Sequence, residues 1–274
     1  MGLRDRGVEI KTPEQIALMR RAGLVVGQTL ELLRGHVRPG VSTRELDAIA
    51  EDAIRSSGAT PSFLGYHGFP GTLCTSVNDV VVHGIPDDRV LAAGDVISID
   101  CGAIVDGWHG DAAITVPVGE VAPEVTELLR VTEEALWAGI AAARLGGRVT
   151  DISHAVEQSV RSQPATYGIV EDYVGHGIGR SMHEPPNVPN YRMDRRGPEL
   201  RDGTTIAIEP MVTMGDQANH VEDDDWTVST DDGARAAHWE HSVALTSEGI
   251  CVLTALDGGA DRLRQLDRPV LDLD

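Results

Sequence analysis

The sequence predicts an α/β body made of two similar halves. Two helices followed by strand-like runs occur twice along the 274 residues. Residues of the two stretches match at a constant offset, and one apolar run in each stretch closes on a carboxylate. The elements follow in order. Thr12 reads as an N-cap, Pro13 suits a first helical turn, and Ile16, Met19, Leu24, Leu30 and Leu33 recur at helical spacing. Gly35 and the Pro39-Gly40 pair stop that helix. A second starts at Ser42 or Thr43, where Glu45 completes a capping box, and ends near Gly58. Strands are predicted over 73–77, 80–83, 96–101 and 112–118. The order then repeats, with helices over 124–143 and 151–162 and strands over 169–174, 204–209 and 242–245. The Pro-, Asn- and Arg-rich stretch 185–198 reads as a long surface loop.

The repeat can be followed residue by residue. An offset of 106 pairs Arg38 with Arg144, Gly40 with Gly146, Leu46 with Ile152, Glu51 with Glu157 and Ile54 with Val160. Further on, Leu91-x-x-Gly94-x-x-Ile97-x-Ile99-Asp100 lines up with Leu200-x-x-Gly203-x-x-Ile206-x-Ile208-Glu209, and His109-x-Asp111 with His238-x-Glu240. Helical apolar patterns align easily by chance, but strands that end on a carboxylate in both halves do not. A single catalytic domain spanning 1–274 is expected, with halves of about 12–118 and 122–253 and no separate N-terminal domain.

Composition removes several functions. Acids outnumber bases 43 to 23, a formal charge of -20, whereas a general nucleic-acid binder needs a basic face. No apolar run approaches the roughly 20 residues that span a bilayer, and residues 1–9 hold no apolar signal core. Cys74, Cys101 and Cys251 are odd in number and widely spaced, which implies no disulfide framework and a cytoplasmic setting.

Each half thus brings two carboxylates, Asp100 with Asp111 and Glu209 with Glu240. Burying a carboxylate at the end of a run such as Val96-Ile97-Ser98-Ile99 is costly unless something compensates, and four converging carboxylates repel one another. Divalent cations remove that conflict. Oxygen-rich sites with an imidazole suit Mn, Fe, Co or Zn, and two such ions can serve hydrolysis.

With these residues in place, the chain resembles the type I methionine aminopeptidases of the short bacterial kind, from about Thr12 to Leu253. The motifs that carry the resemblance are Leu64-Gly65-Tyr66-His67-Gly68-Phe69-Pro70, Asn78 to Pro86 with His83-Gly84-Ile85-Pro86, Asp95 to Asp100, and Gly110-Asp111. After them come Gly175-His176-Gly177-Ile178-Gly179, His183-Glu184-Pro185-Pro186, Ile208-Glu209-Pro210 and Trp239-Glu240-His241. The resemblance implies the pita-bread (creatinase/aminopeptidase) fold, two pseudo-symmetric halves around a central curved antiparallel sheet. It implies a metal-dependent hydrolase that removes the N-terminal methionine of nascent proteins when the second residue is small. It also implies two divalent ions (Co, Mn, Fe or Zn) held by Asp100, Asp111, His176, Glu209 and Glu240. A metal-bridged water would attack the first peptide carbonyl, Glu209 would act as general base, His183 would stabilise the oxyanion, and His83 would hydrogen-bond the amide beyond the scissile bond.

Tyr66, Phe69, Cys74, Met182 and Trp226 match the family's lining for the methionine side chain. The chain departs from the pattern at Phe63, where relatives often have a small residue, and at Met182, where an aromatic is usual. His67 lies in a matching motif without an assigned role. His109, His154, His220 and His241 carry no functional expectation. The glycine-rich run around His176 lacks the spacing of a dinucleotide fingerprint. Arg192, Arg195, Arg196 and Arg201 read as a solvated basic loop.

Two alternatives stand against this reading. A proline-specific peptidase of the same fold, prolidase or aminopeptidase P, would usually carry a further N-terminal domain. A non-catalytic binding protein of this fold would be short of ligands, whereas all five are here. A monomer is expected. Some relatives are thought to dock on the ribosome through a lysine-rich hairpin, but the matching stretch 214–236 is acidic and holds Arg235 as its one formal base, so no ribosome docking through it is expected.

Overall fold

The computed structural model describes residues 8–273; most of the 1–9 stretch read above for a signal core lies outside the described residues. The first helix, α1, spans Pro13–His36 and begins as its sequence dictates. Thr12 and Gln15 close a reciprocal capping box, which satisfies two of the amides that a helix N-terminus leaves open. Helix α2, Thr43–Ser56, opens on the matching box of Ser42 and Glu45. The second pair, α3 at Pro123–Ala142 and α4 at Val149–Arg161, completes the helical layer. Each helix turns one apolar stripe inward: Leu46, Ala50 and Ile54 of α2 are fully buried, as are Ile152 and Val156 of α4.

The helices pack on a nine-stranded sheet in which the pairings are antiparallel. At its centre Val96–Val105 and Trp108–Pro117 form a long hairpin. Next to it lie Glu240–Leu245 and then Thr204–Ile208, followed by the short Gly175–Gly177 and the edge strand Glu184–Val188. Helix α1 lies directly on this sheet because two glycines let it. A Cβ on Gly23 would run into the carbonyl of Leu253, and one on Gly110 would sit 2.7 Å from the amide nitrogen of Gly23.

The repeat is written into the hydrogen bonds. Gly40 N–H donates to Leu91 O and Leu91 N–H to Val41 O; at the matching place Gly146 N–H donates to Leu200 O and Leu200 N–H to Gly147 O. Isolated bridges at Ser42 with Val90 and at Arg148 with Glu199 also correspond.

Three sequence expectations are corrected. The loop read over 185–198 begins as strand, Glu184–Val188, with Pro186 and Val188 buried. Proline lacks an amide donor but is tolerated on an edge strand. The strand expected over 169–174 is only Gly168–Ile169, since the chain then bends and Tyr173 and Val174 wall a cavity. Asp100 does not end its strand; it sits midway along Val96–Val105, which continues to the hairpin turn.

Candidate metal centre

Register brings the carboxylates together. Asp100 pairs with Ala113, and Ala113 on its other side pairs with Glu240, so the three occupy one row across adjacent strands. Side chains in such a row share a face, as do residues two apart along a strand, which adds Asp111 to the group. Ala113 between the two acids is too small to fill the space between them. Ile208 pairs with His241, so Glu209 follows at the end of the neighbouring strand. The hydroxyl of Ser242 donates to Asp111 O at 2.8 Å and accepts from Asp111 N–H at 3.1 Å, which ties the two central strands together behind the acids.

His176 enters from the Gly175–Gly177 strand, on the far side of Thr204–Ile208. Its Nδ1 lies 2.9 Å from Gly177 O, and its Nε2 faces the acids, 3.6 Å from Glu209 Oε1 and 4.0 Å from Asp111 Oδ2. Ligand atoms of Asp111, His176 and Glu240, all buried, lie within 4.8 Å of one another. Oδ1 of Asp100, Oδ1 of Asp111 and Oε1 of Glu240 are buried without a hydrogen-bond partner among the described residues. Orphaned oxygens of this kind are rare in a folded interior unless a bound group takes them. Burial pushes the Asp100 carboxyl up to about 7. Burial, then the neighbouring acids, push Asp111, Glu209 and Glu240 well above the usual carboxylate range. Burial holds His176 down at about 4, so near neutrality its Nε2 offers a lone pair. An oxygen-rich set with one imidazole fits hard to borderline divalent ions.

The acids form the floor of a cavity of about 180 Å³, and every other residue given a catalytic or binding role from the sequence lines it; His67 does not. Phe63, Phe69, Cys74 and Met182 make one buried apolar cluster, against which Tyr66, Ile85 and Trp226 pack. Phe69 and Trp226 meet edge to face at 5.1 Å. Phe63 also presses on the backbone at Gly102, where a Cβ would lie 2.8 Å from its ring, so the larger residue is built into the wall. His83 sits at φ 59 and is held down at about 4 by burial. A non-glycine residue in that left-handed region costs of order 1–3 kcal/mol, and such positions gather at functional sites. The exposed His183 stands over the cavity rim, its Nδ1 2.9 Å from Tyr66 Oη and its ring 4.3 Å from that of His176. His67 is exposed and touches Tyr66 edge to face at 4.4 Å.

The cavity also holds residues that the sequence reading passed over: Val82, Tyr173, Val174 and His238. Only His238 carried a usable signal, its place in the repeat opposite His109. His109 itself is buried, with Nδ1 3.0 Å from Ser62 Oγ. Of the basic loop, Arg192, Arg195 and Arg196 are exposed and Arg201 is half-buried. In the acidic stretch, Asn219–Val221 pairs with Val228–Thr230, and Arg235 turns inward to donate to Gly94 O at 3.1 Å. No described helix is long and apolar enough to cross a membrane.

Comparison with known proteins is consistent with this geometry. The model of metallopeptidase family M24 matches residues 17–247. Methionine aminopeptidase 1 of Mycobacterium tuberculosis is 52% identical over 254 residues, covering 91% of this chain and 96% of that protein. The crystal structure of the methionine aminopeptidase of Thermotoga maritima superposes with a TM-score of 0.88 at 40% identity, covering 90% of this chain and 99% of that one. Prolidase from Pyrococcus furiosus shares the fold alone, with a TM-score of 0.71 at 22% identity, and this chain covers 66% of it.

Proposed function

This chain belongs to metallopeptidase family M24, and we propose that it is a methionyl aminopeptidase, a metal-dependent hydrolase that removes the N-terminal methionine of proteins. The observation that carries this reading is a floor of acids with orphaned buried oxygens beneath an apolar cavity. Asp100, Asp111, His176, Glu209 and Glu240 would hold two divalent ions, drawn from Co, Mn, Fe or Zn. When bound, the ions supply positive charge that polarises a carbonyl and lowers the pKa of water.

The chain's own residues do the rest. Glu209 takes a proton from the attacking water and passes it to the leaving amine. His183 donates a hydrogen bond to the oxygen that gains charge, and its partner Tyr66 fixes the ring. His83, neutral at working pH, hydrogen-bonds the amide beyond the cleaved bond. Phe63, Tyr66, Phe69, Cys74, Met182 and Trp226 enclose the methionine side chain, and the thioether of Met182 adapts to the thioether of the substrate. By the same reading, the second residue of the substrate must be small.

The chain acts as one catalytic unit with halves of about 12–118 and 122–253, as a cytoplasmic monomer. It does not dock on the ribosome through the hairpin at 214–236, whose exposed Asp223, Asp224 and Asp225 repel a polyanion. Sedimentation with ribosomes at low salt tests that point: binding abolished by neutralising those aspartates would refute it.

The deciding assay strips the metal and adds Mn, Fe, Co and Zn separately. Methionine is released from Met-Gly-Met, and Met-Leu peptides, Leu-Gly and proline-containing dipeptides are cleaved poorly. Preferential cleavage before proline would instead make it a proline-specific peptidase.

A further inference from the structure

The two halves place a histidine at the same point of the repeat, two residues before a carboxylate, and surround the two rings differently. His109 has Ser62 as partner. His238 has none among the described residues: its side chain is 3% exposed, and its Nε2 makes no hydrogen bond to them. That nitrogen lies 3.8 Å from Glu209 Oε2 and 3.9 Å from Glu240 Oε2.

The ring is held there by its backbone. Ala236–His238 pairs with Met211–Thr213, and Thr115 clamps the main chain of His238 from both sides. The Thr115 hydroxyl donates to His238 O at 2.8 Å and accepts from His238 N–H at 2.9 Å. Glu209 is therefore bracketed by two imidazoles, His176 at Oε1 and His238 at Oε2. The cluster of mutually close ligand atoms, Asp111, His176 and Glu240, leaves His238 outside. A carboxylate that gives one oxygen to a metal commonly accepts a hydrogen bond on the other, and that outer donor fixes its orientation. Turning the Glu209 carboxylate by roughly 1 Å brings Oε2 within hydrogen-bond reach of His238.

We propose that His238 is a positioning residue whose Nε2–H donates to Glu209, and secondarily to Glu240, and so sets these carboxylates for the divalent ions. The proposal rests on the reading of the cavity floor as a metal centre. It assigns His238 a role that its counterpart His109, already satisfied by Ser62, does not have.

The test compares His238→Gln, which keeps an N–H donor, with His238→Met, which has similar length and no donor. Metal-stripped protein is titrated with Mn²⁺ in a calorimeter, and circular dichroism checks folding. The Met variant is expected to bind Mn²⁺ about 10–100-fold more weakly, and the Gln variant to recover most of that loss. His238→Ala carries the same expectation should the Met variant fail to fold. Full affinity in the Met or Ala variant overturns the proposal. So does a Gln variant as weak as the Met variant, which would make Nε2 a metal ligand, and so does a natural chain that binds no Mn²⁺. Hydrolysis of Met-Gly-Met by the natural chain is measured beside it. A chain that binds Mn²⁺ and cleaves no methionine refutes the proposed function, while the titration still decides the role of His238.

Discussion

Nine residues separate Asp100 from His109, and twenty-nine separate Glu209 from His238. In the first half a tight turn at Asp106-Gly107 joins the two acid-bearing strands, and they stay paired along their whole length. In the second half the chain leaves the sheet after Ile208 and returns at Glu240. On the way it completes two small sheets: one with Gly168–Ile169, the other pairing the acidic hairpin that carries Trp226 with Val80–Val82 of the first half. The acids nevertheless end on one face of the sheet, because register across the central strands places them and not the connection between them. The first half is the rigid frame. It also gives Phe63, Tyr66, Phe69 and Cys74 to the apolar wall, to which the second half adds Met182, Trp226 and the unsatisfied imidazole.

If the halves are equal partners in holding metal, Asp100→Asn and Glu240→Gln should fail alike. Each is expected to lose a metal and to drop in turnover by more than the roughly 10²–10³-fold that a lost oxyanion donor costs. Metal analysis with a peptide assay checks this, and two retained ions at near-normal rate would break the assignment. His183 belongs to the second half and lies at the rim, so His183→Ala should separate rate from metal. A loss of about 10²–10³-fold in kcat is expected with metal content unchanged. Parallel loss of both would make His183 a ligand.

A pH series sharpens the same comparison. With its carboxyl raised to about 7, Asp100 keeps a proton in the metal-free native state that the unfolded chain sheds near 4. Its contribution to stability is full below about 4 and is lost as pH rises through about 7. Metal binding has the opposite sign, since the ligand must shed that proton. The Tm of metal-free protein is expected to fall between pH 5 and 7.5, and the rise in Tm on adding Mn²⁺ to be larger at pH 7.5. An unchanged metal increment would contradict this.

The smallest effect concerns the excursion. Asp224 Oδ1 accepts the amides of Trp226 at 2.9 Å and Thr227 at 2.7 Å, and Oδ2 accepts the Thr227 hydroxyl at 2.6 Å. The aspartate read from sequence as surface charge thus fixes the turn that presents Trp226 to Phe69. Asp224→Ala should raise KM for Met-Gly-Met about 3–10-fold with kcat kept, the scale of one or two hydrogen bonds. Asp223→Ala should change neither.

The sequence made the helices legible, because an N-cap at Thr12, a capping box at Ser42 and helical apolar spacing are local signals. It determined the repeat and, through the motifs, the five candidate ligands and the apolar lining. Tertiary structure decided the rest. The edge strand at Glu184–Val188 was hidden by its prolines, which are excluded from a sheet interior and permitted at its border. The row Asp100–Ala113–Glu240 depends on the pairing of Ala113 with Glu240, more than a hundred positions apart, which no local pattern encodes. The fold also separates His109 from His238: identical residues at matching points of a repeat differ in what is set beside them, Ser62 for one and two carboxylates of the candidate metal centre for the other.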